Sequence, residues 1–168
     1  MDLGELLTRW TVRLAVALYA LALVARWHAH GRRPWLSRAR LAWSVGCVLF
    51  LAHVACAFAF FHGWSHAAAY QETARRTGEQ FGIFWGGGLF LNYAFALVWP
   101  ADVLCWWCQG LEGYERRAAG LEWVVQGFLA FMSFNATVVF AAGPVRLAGV
   151  GGCLVLAAAW WLGRPGSK

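Results

Sequence analysis

Two imidazoles four residues apart, in the run His62-Gly63-Trp64-Ser65-His66, are the strongest chemical signal in the chain. On an unbroken helix that spacing puts both rings on one face, where they can chelate a metal once a third ligand approaches. Glu72, Glu79 and the Gly-rich stretch beyond them are the neighbours able to supply or admit that ligand. The plainer use of histidines at a membrane interface is hydrogen bonding to water, headgroups or backbone, and it carries the greater weight because no third ligand is fixed. His53 is a separate candidate, as a haem b or metal ligand, because an ionisable group deep in an apolar run is expensive unless it is paired or faces the bundle interior. A neutral His53 hydrogen-bonded to a neighbouring helix is the plainer reading. Nine residues separate His53 from His62, roughly half a turn out of phase on an ideal helix, so the two are not expected to share a ligand.

Asp102 follows Pro100 closely in an apolar run, where the proline ring removes a backbone hydrogen bond and predicts a kink. Depth counting places Asp102 too far from His53 to pair with it, and leaves Arg26 or a protonated, hydrogen-bonded state as the way to satisfy it. A proton relay is the functional alternative to a packing role. Cys105 and Cys108 form one CxxC, with Cys47 at a similar depth on another span. A zinc knuckle pairs two such motifs, so reduced, structural cysteines are expected. Glu122, Gln126, Ser133 and Thr137 recur at offsets that keep them in one stripe, expected to face other helices and to act as packing glue.

The elements that must position these residues follow from composition. Of 168 residues, 61% are hydrophobic and only 13% charged, too little charge for a soluble surface. Apolar runs separated by short basic or Gly-rich breaks predict an all-α integral membrane bundle, one domain with about five transmembrane helices over 10–27, 41–61, 87–108, 121–142 and 147–162. Segment 62–86 is expected to be a short helical extension at the outer surface, ended by Gly78 and Gly82. Gly149, Gly151 and Gly152 in the short last span point to close packing or local bilayer thinning. The first span reads as a retained anchor and not a cleaved signal peptide, with Arg13 and Arg26 near its ends. Five such spans in one chain leave little room for an aqueous channel.

The net charge of +6 comes from arginines placed between apolar runs, so it implies topology and headgroup contacts and not nucleic acid. Arg32, Arg33, Arg38, Arg40, Arg116, Arg117, Arg164 and Lys168 fall on one side, which sets the N-terminus outside and the C-terminus in the cytoplasm of a cell membrane. Twelve tryptophans, Trp43 and Trp106 among those near span ends, fit interfacial belts. No nucleotide-binding, HExxH, GxSxG or CxxCH motif is present, so enzyme chemistry is disfavoured. The leading expectation is a noncatalytic membrane protein whose partners are the lipid bilayer and other membrane subunits or copies of itself. The alternatives are a metal- or haem-binding redox protein at the outer histidines and a small proton-coupled transporter component centred on Asp102 and His53.

Overall fold

A computed structural model describes residues 2–29 and 32–162. Each long apolar run folds as a helix, because only a helix satisfies its backbone groups internally in an apolar medium. The six helices are α1 (Leu3–Trp27), α2 (Arg33–Ala57), α3 (His66–Phe81), α4 (Gly88–Glu115), α5 (Ala119–Phe134) and α6 (Gly143–Leu162). Two of them widen at their ends into π-turns, Phe58–His62 after α2 and Asn135–Val139 after α5. Among the described residues there is no strand, so the fold is all-α as the sequence implies.

Among the described residues, four helices are long and apolar enough to cross a membrane: α1, α2 with its π-turn, α4 and α6. The predicted fourth span, 121–142, folds as α5 and its π-turn, about 30 Å of helix. It is not among those four, because Glu122, Gln126 and Asn135 lower its hydropathy. The helices also outrun the expected spans. α1 begins seven residues before Trp10 and α4 continues seven beyond Cys108, so Arg13 lies well inside α1 and not at its end.

The order of packing is α1 on α2, α2 on α4 and α4 on α5, while α6 returns from the π-turn after α5 to meet α1. The five long elements thereby close a ring. α1 and α2 meet along a seam of small residues, including Ala15, Ala22, Ala39 and Ala42, which lets the backbones approach. Gly149 plays the same part between α6 and the second π-turn, where a methyl group would collide with the Thr137 carbonyl. Gly151 and Gly152 meet nothing, so close packing holds for one of the three glycines. Arg146 donates from Nε to the Ala141 carbonyl at 2.8 Å and so caps the chain entering α6.

Between α1, α2 and α4 lies an aromatic core. Tyr19, Trp43 and Trp99 pack with ring centroids 5.2 to 5.8 Å apart, and Phe50 and Phe95 extend the cluster. Trp43 and Trp106 are each only 2% exposed, so the interfacial-belt reading fails for these two. Position near a span end did not decide their use; the helices continue past the expected ends and turn these faces inward.

α3 is amphipathic and lies at the end of the ring where α1 begins, touching α4 and the first π-turn. Ser65 caps it by accepting from the Ala68 amide at 3.2 Å, and Gly82 ends it, whereas Gly78 lies inside it under the Phe84 ring. Its charges pair along one side, Arg75 with Glu72 and Glu79, and Arg76 with Glu72. The Arg75 hydrogen bonds hold the Glu72 carboxyl at about 2, well below the usual carboxylate range, so the pair stays ionised at ordinary pH.

Candidate functional site

The end of the ring opposite α3 is closed by charged side chains that one glycine brings together. The backbone of α4 stays helical through Pro100, and the expected kink is instead at Gly110, with φ 72° and ψ −177°. That region is open essentially to glycine alone. The break folds residues 111–117 back over the helix that precedes them. Tyr114 stacks on Trp106, centroids 4.3 Å apart and planes 8° from parallel, and its hydroxyl donates to Asp102 Oδ2 at 2.7 Å. Arg117 then reaches the other carboxylate oxygen of Asp102 and also pairs with Glu122.

Arg26 completes the cluster from α1. Its Nε donates to Glu115 at 2.7 Å, its Nη1 donates to Glu122, and its guanidinium lies 5.0 Å from the Tyr114 ring centroid. Three carboxylates and two guanidiniums thus join α1, α4 and α5. The expected partner of Asp102, Arg26, serves Glu115 and Glu122 instead; Asp102 is satisfied by Arg117 and Tyr114. Depth counting along a straight helix missed them, because they lie twelve and fifteen residues further on and return only through the Gly110 break. Asp102 and Arg117 are buried in this network.

The histidine pair is arranged differently from its spacing. Gly63 and Trp64 both take left-handed backbone, with φ 54° and 60°, so the chain turns between the two rings. His62 ends the π-turn of α2 and packs on Phe58, whereas His66 opens α3 and hydrogen-bonds through Nδ1 with the Tyr93 hydroxyl at 2.9 Å. The expectation of one shared helical face is therefore overturned. Among the described residues no group of three His, Cys, Asp or Glu side chains gathers as a metal site requires. His53 bonds through Nδ1 to the Thr8 carbonyl of α1 at 2.9 Å, the helix-to-helix contact foreseen as its plainer use. Cys105 and Cys108 are exposed on the ring's outside while Cys47 is buried, so the three thiols do not converge.

The ring surrounds a cavity that is partly open to its surroundings. The cavity, of about 2020 Å³, runs between α1, α2, α4, α5 and α6, from Glu72 and Arg76 of α3 at one end to Glu122 and Trp160 at the other. Its wall is mainly apolar. Glu122, Gln126, Ser133 and Thr137 line this cavity, and two of them also meet other helices as expected, Glu122 through Arg26 of α1 and Thr137 against Gly149 of α6. α5 reaches the aromatic core through Leu129 and through Phe128, whose ring lies edge-on to Phe95 with centroids 6.3 Å apart, and Leu156 of α6 also packs against it, so the cavity lies beside these contacts. The Tyr19 hydroxyl and Gln126 Oε1 on the wall have no hydrogen-bond partner among the described residues, although buried polar groups are normally paired.

No family model, no curated protein and no solved structure matches this chain. Its chemistry must be read from the cavity and its closed end. Most of the wall was invisible to motif reading, because Val16, Ala20, Leu23 and Ala130 carry no chemical signal one by one. The usable signal was the stripe from Glu122 to Thr137, whose polar face had to have something to meet.

Proposed function

We propose that the chain is a noncatalytic integral membrane protein that holds a lipid inside a ring of five membrane-crossing helices, with α5 and its π-turn as the fifth crossing. The observation that carries this reading is the cavity of about 2020 Å³ with a mainly apolar wall. It exceeds the few hundred to about 1,000 Å³ typical of small-molecule pockets. It also runs nearly the length of α1, from Glu5 to Trp27, about 33 Å and so close to the thickness of a bilayer core.

Orientation follows from charge. Arg32, Arg33, Arg38, Arg40, Arg116 and Arg117 all lie at the end away from α3, against Arg75, Arg76 and Arg146 at the other, and the positive-inside rule supports a cytoplasmic side for the former. Arg164 and Lys168, counted with them from the sequence, fall outside the described residues.

Filling the cavity tests the reading. Gly127 of α5 lines it, and a side chain there meets nothing within 4 Å of its first carbon. Gly127→Trp is expected to keep its helicity, lose no stability and give up most of the lipid that the wild type retains, measured by native mass spectrometry after mild-detergent purification. A Trp variant that carries its full lipid complement means the cavity is not where lipid is held.

A further inference from the structure

Resting on that reading, we infer that the cavity selects an anionic phospholipid, whose phosphate is held by Arg13. Four arginines line the cavity, and three are already neutralised: Arg9 by Glu5, and Arg75 and Arg76 by Glu72 and Glu79. Arg13 has no carboxylate within ion-pair distance among the described residues; its guanidinium carbon lies 5.5 Å from the Trp10 ring centroid. At the closed end Arg26 and Arg117 are paired with Glu115, Glu122 and Asp102. Arg13 is therefore the cation on the wall left with charge to offer.

Its depth makes that charge unusual. The Thr8 carbonyl meets His53, and Gly46 of α2 packs against Ala15 and Leu18 of α1. This antiparallel register sets Arg13 level with Val48 to Leu51, about midway along the 30-residue helix Arg33–His62. An arginine at such depth is costly unless an anion or a polar cavity receives it, and is a functional candidate by default. A guanidinium presents forked donors suited to phosphate oxygens.

The wall beyond Arg13 fits the rest of the molecule. Val16, Ala20, Leu23 and Trp27 continue the same side of α1 along the cavity for about 21 Å, more than the ~15 Å that one leaflet's acyl chains occupy. Arg9 and Glu5 continue the face in the other direction, toward α3, where a headgroup's remaining polar atoms would lie. The single uncompensated charge matches a phosphodiester, and the cavity volume suits two chains better than one.

The test compares phosphatidylglycerol, phosphatidylcholine and oleate added in turn to the wild type, Arg13→Gln, Arg13→Lys and Arg9→Gln, with bound lipid counted by native mass spectrometry. The wild type is expected to prefer phosphatidylglycerol over phosphatidylcholine by about tenfold, the usual scale of one charge-assisted contact. Arg13→Gln abolishes that preference while still binding phosphatidylcholine. Arg13→Lys, which keeps the charge for folding but not the fork, lowers the preference several-fold, and Arg9→Gln leaves it intact. Equal preference in wild type and both Arg13 variants overturns the assignment, as does a wild type that favours oleate. If lipid is still lost in Gly127→Trp, the cavity reading survives that result. A wild type that binds none of the three lipids sinks both.

Discussion

Replacing Arg117 by alanine is expected to lower the unfolding free energy by about 3–5 kcal/mol, the largest loss anticipated for any single charge in the chain. Arg117 is 7% exposed and bridges Asp102, 2% exposed, to Glu122. Removing the guanidinium leaves Asp102 buried with only the Tyr114 hydroxyl, and deprives Glu122 of one of its two cations. A buried charge stripped of its partner costs far more than the intact pair contributes, because desolvation is no longer offset. The matched control is Arg33→Ala, which breaks an ion pair with Glu112 whose side chains are 75% and 61% exposed. That loss should stay below about 1 kcal/mol. Denaturant unfolding in detergent checks both, and an Arg117→Ala loss as small as the control's would mean the network is not a closed unit.

Gly110→Ala should destabilise, opposite in sign to the usual effect of that change within a helix. Alanine in a regular helix gains roughly 0.5–1 kcal/mol over glycine. At φ 72° and ψ −177° it instead incurs strain of order 1–3 kcal/mol. No neighbouring atom lies within 4 Å of where the new methyl would stand, so the cost comes from the backbone and not from crowding. If α4 straightens to escape the strain, Tyr114 leaves Trp106 and Asp102, and the near-ultraviolet circular dichroism of the stacked pair is lost along with the stability. An alanine variant as stable as wild type or more so, with that aromatic signal unchanged, would show that the break is not needed.

These two positions mark the boundary of what the sequence made legible. The helices follow from the apolar runs, whose lengths match a bilayer and whose breaks hold glycine, proline or arginine. The presence of a polar stripe on α5 was readable, because Glu122, Gln126, Ser133 and Thr137 share a helical phase. What it faces was not readable, since a ring with a hollow centre and a packed bundle present the same pattern of apolar and polar positions on each helix. Ring closure is decided by which faces pair, and the α1–α2 seam of alanines gives no hint of how α5 and α6 meet the other helices.

The ion-pair network was hidden for a local reason. Gln109 to Glu115 contains good helix formers, and each of its two glycines, Gly110 and Gly113, costs a helix only about 1 kcal/mol. A straight helix was the natural expectation, and it sends Tyr114 and Arg117 away from Asp102. The histidine pair failed in the reverse sense. Spacing of four implies a shared face only when the intervening backbone is helical, and Gly63 followed by Trp64 takes two left-handed residues in succession. Asp102 itself was identifiable, because a carboxylate in an apolar run must find partners, even though their identity lay in tertiary structure.

The central claim is that the ring encloses lipid and not packed side chains, and a photoreactive residue in place of Ala130 tests it most directly. Ala130 lies on α5 and lines the cavity, across which stands the wall of α1. Irradiated in bilayer nanodiscs and digested, the protein should yield a peptide containing residue 130 joined to a phospholipid acyl chain, and that adduct should vanish when Ala20 of the facing wall is changed to Trp. Attachment of residue 130 to α1 itself, with no lipid adduct, would contradict the account by showing that the cavity-lining side of α5 closes directly onto α1.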